Sequence, residues 1–210
     1  MNSFAAANQH NQDADSNSAS TPSLITRLLS NPMRIGLWDE QQLTWEYPQN
    51  TDQQNSTLFS VTAMNSTKDY EIIKVQLNNE SALKKEVKII VQYHNVFEKE
   101  STAFYSPKEN AIICFFENQV TMLGGHLNGK GMSQYCLHDI HACNSLNWLE
   151  SLRQGYLPLS WLAKGEVVST FALETELSAH QSLEGVIWSF HSTSEAIVRR
   201  LKKETIHKYM

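Results

Sequence analysis

Residues 104–139, FYSPKENAIICFFENQVTMLGGHLNGKGMSQYCLHD, constrain the fold more tightly than any other part of the chain. The stretch opens on a turn signal, Ser106-Pro107-Lys108-Glu109-Asn110, and runs straight into the nearly all-apolar residues 111–116. Such a short, unbroken apolar run suits a strand covered on both faces. Glu117-Asn118 reads as the next turn and residues 120–123 as a second strand. The pair Gly124-Gly125 then reads as a turn, and Gly129-Lys130-Gly131 as a break before a last short strand. Short apolar runs set off by turn residues build sheets rather than helices.

The rest of the chain repeats this pattern. Residues 33–38 and 43–47 read as a hairpin that stops at Pro48, and residues 57–63 and 70–77 as the next pair. Val87, Ile89, Val91 and Tyr93 alternate with Lys88, Gln92 and His94, the clearest two-residue period in the chain. Val167, Ser169, Phe171, Leu173, Thr175 and Leu177 share one face of a long strand, and residues 183–191 form another. Two segments read as helical. Leu146, Leu149 and Leu152 recur at helical spacing over residues 145–153, which Gly155 and Pro158 close. Ser192-Thr193-Ser194-Glu195 matches a capping box and predicts a helix to about residue 206. Residues 1–22 lack apolar anchors and predict a disordered tail. Residues 24–29 read as a short helix or edge segment, and residues 49–55 as a polar loop. The expectation is one all-β domain over residues 23–210, a large antiparallel β-sandwich with a short C-terminal helix.

Bulk properties narrow the function. A chain of 210 residues with five Trp, seven Tyr and eight Phe can bury a sizeable core. Its net charge of −5, with no block of Lys and Arg, argues against non-specific nucleic-acid binding. No apolar run is long enough to span a bilayer as a helix, and the first residues carry no basic or apolar signal region. Three cysteines, an odd number, fit a reducing compartment, so a cytoplasmic location is expected.

Four places in the sequence carry a resemblance. They are GLWD…LTW within residues 33–45, the alternation ending at His94, an A-x-Y-x-P-x-x-N-A-I-I…L-x-G pattern over residues 103–125, and G-x-V-x-S-T within residues 164–170. Together, over residues 32–201, they resemble the N-terminal β-supersandwich domain of prokaryotic glucoamylase-like glycoside hydrolases. The resemblance implies a supersandwich fold. In that family the domain precedes an (α/α)6 barrel bearing two catalytic glutamates. Twelve helices of about 11 residues would need roughly 130 residues, so no position here is expected to inherit the catalytic acid or base. The acid pairs Glu98/Glu100 and Glu174/Glu176 read as solvated faces. The expectation is therefore a non-catalytic interaction or structural module without a cofactor. The alternative is a carbohydrate-binding module or an accessory subunit of a separately encoded barrel.

Three groups of residues bear on chemistry. Trp45, Trp148 and Trp161 are candidates for contact with a carbohydrate or a protein partner, because flat aromatic faces stack on sugar rings and anchor interfaces. Cys136, His138, His141 and Cys143 place four metal-competent side chains within eight residues, although their spacing departs from ordinary zinc sites. The same thiols have imidazoles beside them that could act as bases, but no nucleophile signature surrounds them. Residues 124–131 lack the order of a phosphate loop and read as a glycine-rich turn.

Overall fold

The computed structural model describes residues 32–40, 42–46, 58–95 and 100–209. The expected tail at residues 1–22, the segment 24–29 and the loop 49–55 lie outside the described residues. Among the described residues, twelve strands carry the fold: β1 (Met33–Asp39), β2 (Gln42–Glu46), β3 (Phe59–Ser66), β4 (Tyr70–Asn78), β5 (Lys85–His94), β6 (Ser101–Ser106), β7 (Ala111–Phe115), β8 (Val120–Leu127), β9 (Gln134–Asp139), β10 (Leu162–Gly165), β11 (Val167–Leu177) and β12 (Ser182–Ser192). They form two antiparallel sheets, a five-stranded one in the order β2-β1-β5-β11-β9 and a seven-stranded one in the order β10-β6-β7-β8-β12-β4-β3. The fold is all-β, as the turn-punctuated apolar runs predict. Among the described residues no helix is long and apolar enough to cross a membrane.

Alternation along each strand decides which side faces the core. Ile35, Ile89, Val91, Phe171 and Leu173 of the five-stranded sheet meet Ile73, Val75, Leu77, Ile112, Leu123 and Ile187 of the seven-stranded sheet, all fully buried. The two sheets are joined along one side. A parallel bridge links Cys136 to Ser160, and the Leu137 N–H donates to the Ser160 carbonyl at 3.1 Å. On the other side, β3 carries a register shift between Ala63 and Asn65.

Both outer faces are also partly covered. Helix α2 (Glu195–Thr205) and the 3-10 turn Ile206–Lys208 press Val198 and Ile206 onto Ile72, Ile113, Met122, Trp188 and Phe190 of the seven-stranded sheet. Glu109 anchors that helix by accepting from Arg199 and, at 3.1 Å, from Lys202 Nζ. Burial opposes ionisation of Glu109, but the two cations outweigh it and hold its carboxyl below the usual range. The N-cap is Ser194, whose hydroxyl accepts from Ile197 N at 3.4 Å. Ser192, the cap position of the sequence-predicted capping box, still pairs with Val120 inside β12, so the helix starts later.

The Gly-Gly pair is not a turn. Gly124 and Gly125 lie inside β8, and the chain reverses beyond them, where Asn128 and Gly129 take positive φ values of 52° and 73°. The physical reason is packing. The Trp188 ring lies across Gly124, where a Cβ would stand 2.1 Å from Cζ2, and Leu173 Cδ1 would meet a Cβ on Gly125 at 2.9 Å. We therefore expect Gly124→Ala to destabilise the protein by about 1–3 kcal/mol through overpacking, read as a lower urea midpoint. An unchanged midpoint would show that the Trp188 ring has room to move.

Candidate functional site

The outer face of the five-stranded sheet holds a row of buried polar side chains. The register places Arg34 beside Gln92, Gln92 beside Thr170, and Thr170 beside Cys136. One row further, His94 lies beside Val168 and Val168 beside His138. Arg34, Gln92, His94 and Thr170 are at most 8% exposed, unusual for groups pointing away from the core. They are linked in series. Arg34 Nε donates to Gln92 Oε1 at 2.6 Å, and Gln92 Nε2 donates to Thr170 Oγ1 at 3.2 Å. The Arg34 guanidinium also stacks over the Trp45 ring, 4.0 Å from its centroid.

A short cover lies over the β9 side of this face. Asp139 Oδ1 accepts from His141 N and starts the 3-10 turn Ile140–Asn144. Ser145 then accepts from Trp148 N and caps helix α1 (Leu146–Arg153), at the place predicted from the leucine spacing. The inward side of α1 sets Trp148 and Leu152, followed by Leu157, onto Ile90, Cys136 and Ala172. Trp38 Nε1 donates to the Arg153 carbonyl at 2.8 Å and ties down the end of the helix. Gly155 follows at φ 66°, packed so closely under Trp38 that a Cβ would stand 2.5 Å from the ring.

Three of the four Cys/His candidates converge beneath this cover. His138 Nδ1 lies 3.3 Å from Cys136 Sγ, and its Nε2 lies 2.9 Å from Cys143 Sγ. Trp148 packs edge-on against the same imidazole at 4.2 Å. His141 turns away, its side chain 91% exposed. The imidazole stands between the sulfurs and faces each with a different nitrogen. One ion therefore cannot take His138 and both thiols in this arrangement. Among the described residues no group of three His, Cys, Asp or Glu side chains could hold a metal. Burial pushes the Cys136 thiol up to about 11 and the Cys143 thiol up to about 12. It pushes the His138 imidazole down to about 4 against the pull of Asp139.

The three tryptophan candidates separate. Trp148 is 5% exposed and belongs to the cover, Trp45 is half-buried against Arg34, and Trp161 is 63% exposed. Trp161 has company. Of the eight large hydrophobics exposed among the described residues, six lie within residues 146–162: Leu146, Leu149, Tyr156, Leu159, Trp161 and Leu162. Glu174 and Glu176, side by side on one face of β11, are each bound to a lysine. Lys88 Nζ is 2.9 Å from Glu174 and Lys84 Nζ is 2.6 Å from Glu176. Sequence reasoning missed the Arg34–Gln92–Thr170 row. Its signal was a Gln and a His at outward positions in the otherwise apolar second half of β5.

No family model matches the chain, and no curated protein matches it. Among solved structures there is a match. It is a bacterial glucoamylase complexed with acarbose. Identity is 12% and the TM-score is 0.46, over 83% of this chain and 28% of that one. The ligand belongs to that enzyme, of which this chain spans little more than a quarter.

Four histidines share one electrostatic condition. Burial lowers the pKa of His94 against Glu166, of His126 together with nearby Lys202, of His138 against Asp139, and of His191 against Asp69. Each folded value lies below the ordinary 6.5, so in acid the unfolded chain takes up protons that the native rings refuse. Stability is therefore full above about pH 6.5 and is lost as the pH falls from there toward about 4. Urea titrations at neutral and at mildly acidic pH check this. Equal unfolding free energies at the two would contradict it.

Proposed function

We propose that this chain is a non-catalytic supersandwich module that binds a folded protein partner through the apolar strip of residues 146–162. The concentration of exposed apolar side chains there carries the reading. Leu146 and Leu149 are 84% and 53% exposed, while Trp148 and Leu152 of the same helix fill the space beneath it. The exposed leucines therefore serve no core. The charges of Glu150 and Arg153 on this helix neutralise each other at 2.8 Å. A surface that is apolar and locally neutral suits a protein face better than an anionic membrane or a nucleic acid.

Glu174 supports the non-catalytic part. Glycoside hydrolysis needs one carboxyl held protonated opposite a second that is ionised. Burial opposes the ionisation of Glu174, but Lys88 and Gln134 outweigh it and hold the carboxyl below the usual range. Such a group is a poor general acid. All three cysteines are free thiols, in keeping with a cytoplasmic protein.

A second reading, glycan binding as a carbohydrate-binding module or as an accessory subunit of a separately encoded barrel, rests on Trp161. Its indole is exposed enough to stack on a sugar ring.

Capture from a lysate of the native host tests the first reading. Wild type is expected to retain one specific partner. The double variant Leu149→Asp/Trp161→Ala should lose at least about tenfold of that binding with an unchanged melting temperature, since anchors of this kind contribute more than about 1 kcal/mol each. Equal capture by both proteins removes the strip as the contact surface. Turnover of an α-glucoside by the pure protein removes the non-catalytic reading. A tryptophan fluorescence response to maltooligosaccharides that disappears in Trp161→Ala favours the glycan reading instead.

A further inference from the structure

We propose that the outer face of the seven-stranded sheet carries a binding site for a small uncharged aryl carbonyl compound, in the cavity beside Tyr209. The cavity measures about 390 Å³, within the size range of small-molecule sites. Its floor follows from strand register. His126 of β8 stands beside Val186 of β12, and Val186 stands beside Lys74 of β4. Met64 lines one side, and Tyr209 and the turn residues Asn128 and Gly129 line others. None of these residues belongs to the apolar strip, so this site and the partner surface stand or fall separately.

Two observations beyond the cavity itself point to a ligand. The first is His126. Its Nδ1 is buried with no hydrogen-bond partner, and among the described residues its Nε2 has none either. Burial, helped by the charge of Lys202, lowers the pKa of the ring, which therefore stays neutral near pH 7. With its proton on Nε2 the ring is a donor in want of an acceptor, and a carbonyl oxygen supplies one. The second is Met64. It is 49% exposed, one of only two such large hydrophobics outside the strip among the described residues. The register shift of β3 leaves it unpaired between Ala63 and Asn65, and a bulge of this kind re-aims a side chain. Asn65 in turn holds the Tyr209 wall, its Nδ2 donating to the Tyr209 hydroxyl at 3.4 Å and to the Tyr70 hydroxyl at 3.2 Å. A thioether and a phenol ring on one cavity favour an aromatic body. Charge sets the last requirement. Lys74 is already paired with Glu184 at 2.6 Å, and Lys202 with Glu109 at 3.1 Å. The cavity offers no charge in need of a partner, so a neutral ligand suits it.

The test titrates benzamide into the full chain, with backbone amide chemical shifts as the readout. Saturable shifts are expected at His126, Asn128 and Val186, with a dissociation constant in the millimolar range that so small a ligand reaches. Benzoate, which adds a charge to the same body, should bind at least about tenfold more weakly. His126→Leu should weaken benzamide at least about fivefold through loss of the donor, with its urea midpoint unchanged or raised because an unpartnered buried nitrogen has gone. Met64→Ala, at an exposed position, should weaken it roughly threefold or more. The proposal is overturned if no saturable shift appears at the solubility limit of benzamide, or if the shifts cluster away from the cavity. Benzoate binding as tightly as benzamide overturns the uncharged class, and wild-type affinity in either variant overturns the assigned contacts. Should His126→Leu fail to fold, Met64→Ala still decides.

Discussion

The pairing of β5 with β11 is the constraint on which the rest of the structure depends. It runs in one unbroken antiparallel register from Val168 opposite His94 to Leu177 opposite Lys85. It places Ile89, Val91, Phe171 and Leu173 in the core between the sheets. The same register sends Gln92, His94, Thr170 and Glu174 to the other face. A slip of one residue would exchange the two sets and drive an amide, an imidazole, a hydroxyl and a carboxylate into the apolar interior. Both the core and the polar row therefore follow from one choice of register.

The outward set needs its own explanation, because it is buried without belonging to the core. The hydrogen bonds from Arg34 through Gln92 to Thr170 satisfy groups that water would otherwise serve. Alongside them the cover built from α1 excludes solvent with Trp148, Leu152 and Leu157. His138 sits where these two devices meet. It shares the outer face with the polar row and carries Trp148 on its ring. An imidazole so placed braces the cover and stands between two thiols.

The inner faces of the strands were legible in the sequence because their signal is periodic. Val87, Ile89, Val91 and Tyr93, and later Val167 to Leu177 in steps of two, point where alternation says they must. Helix α1 was legible from its leucine spacing. The glycine pair in β8 was not, since a glycine chosen to make room for Trp188 looks the same in sequence as one chosen for a turn. The start of α2 was misplaced for a similar reason. Ser192 has the right chemistry for a cap, but its backbone is already committed to β8. The Cys/His cluster was visible as composition only. That Cys136, His138 and Cys143 meet while His141 faces solvent depends on a strand running into a 3-10 turn, which ligand counting does not reveal. The buried outward row was hidden because alternation tells which side faces inward and says nothing about what roofs the other side.

The bridge between Cys136 and Ser160 has a consequence for self-association. A sandwich exposes unpaired backbone N–H and carbonyl groups along its free edges, and those edges template the addition of strands from other chains. Here β9 and β10 are stitched toward each other, so the margin beside the apolar strip is largely closed to such growth. At its other edge the seven-stranded sheet ends in β3, whose register shift at Ala63 and Asn65 breaks the regular spacing an incoming strand would need. The protein can thus carry a greasy surface strip beside a sheet margin without that margin becoming a seed for fibrils.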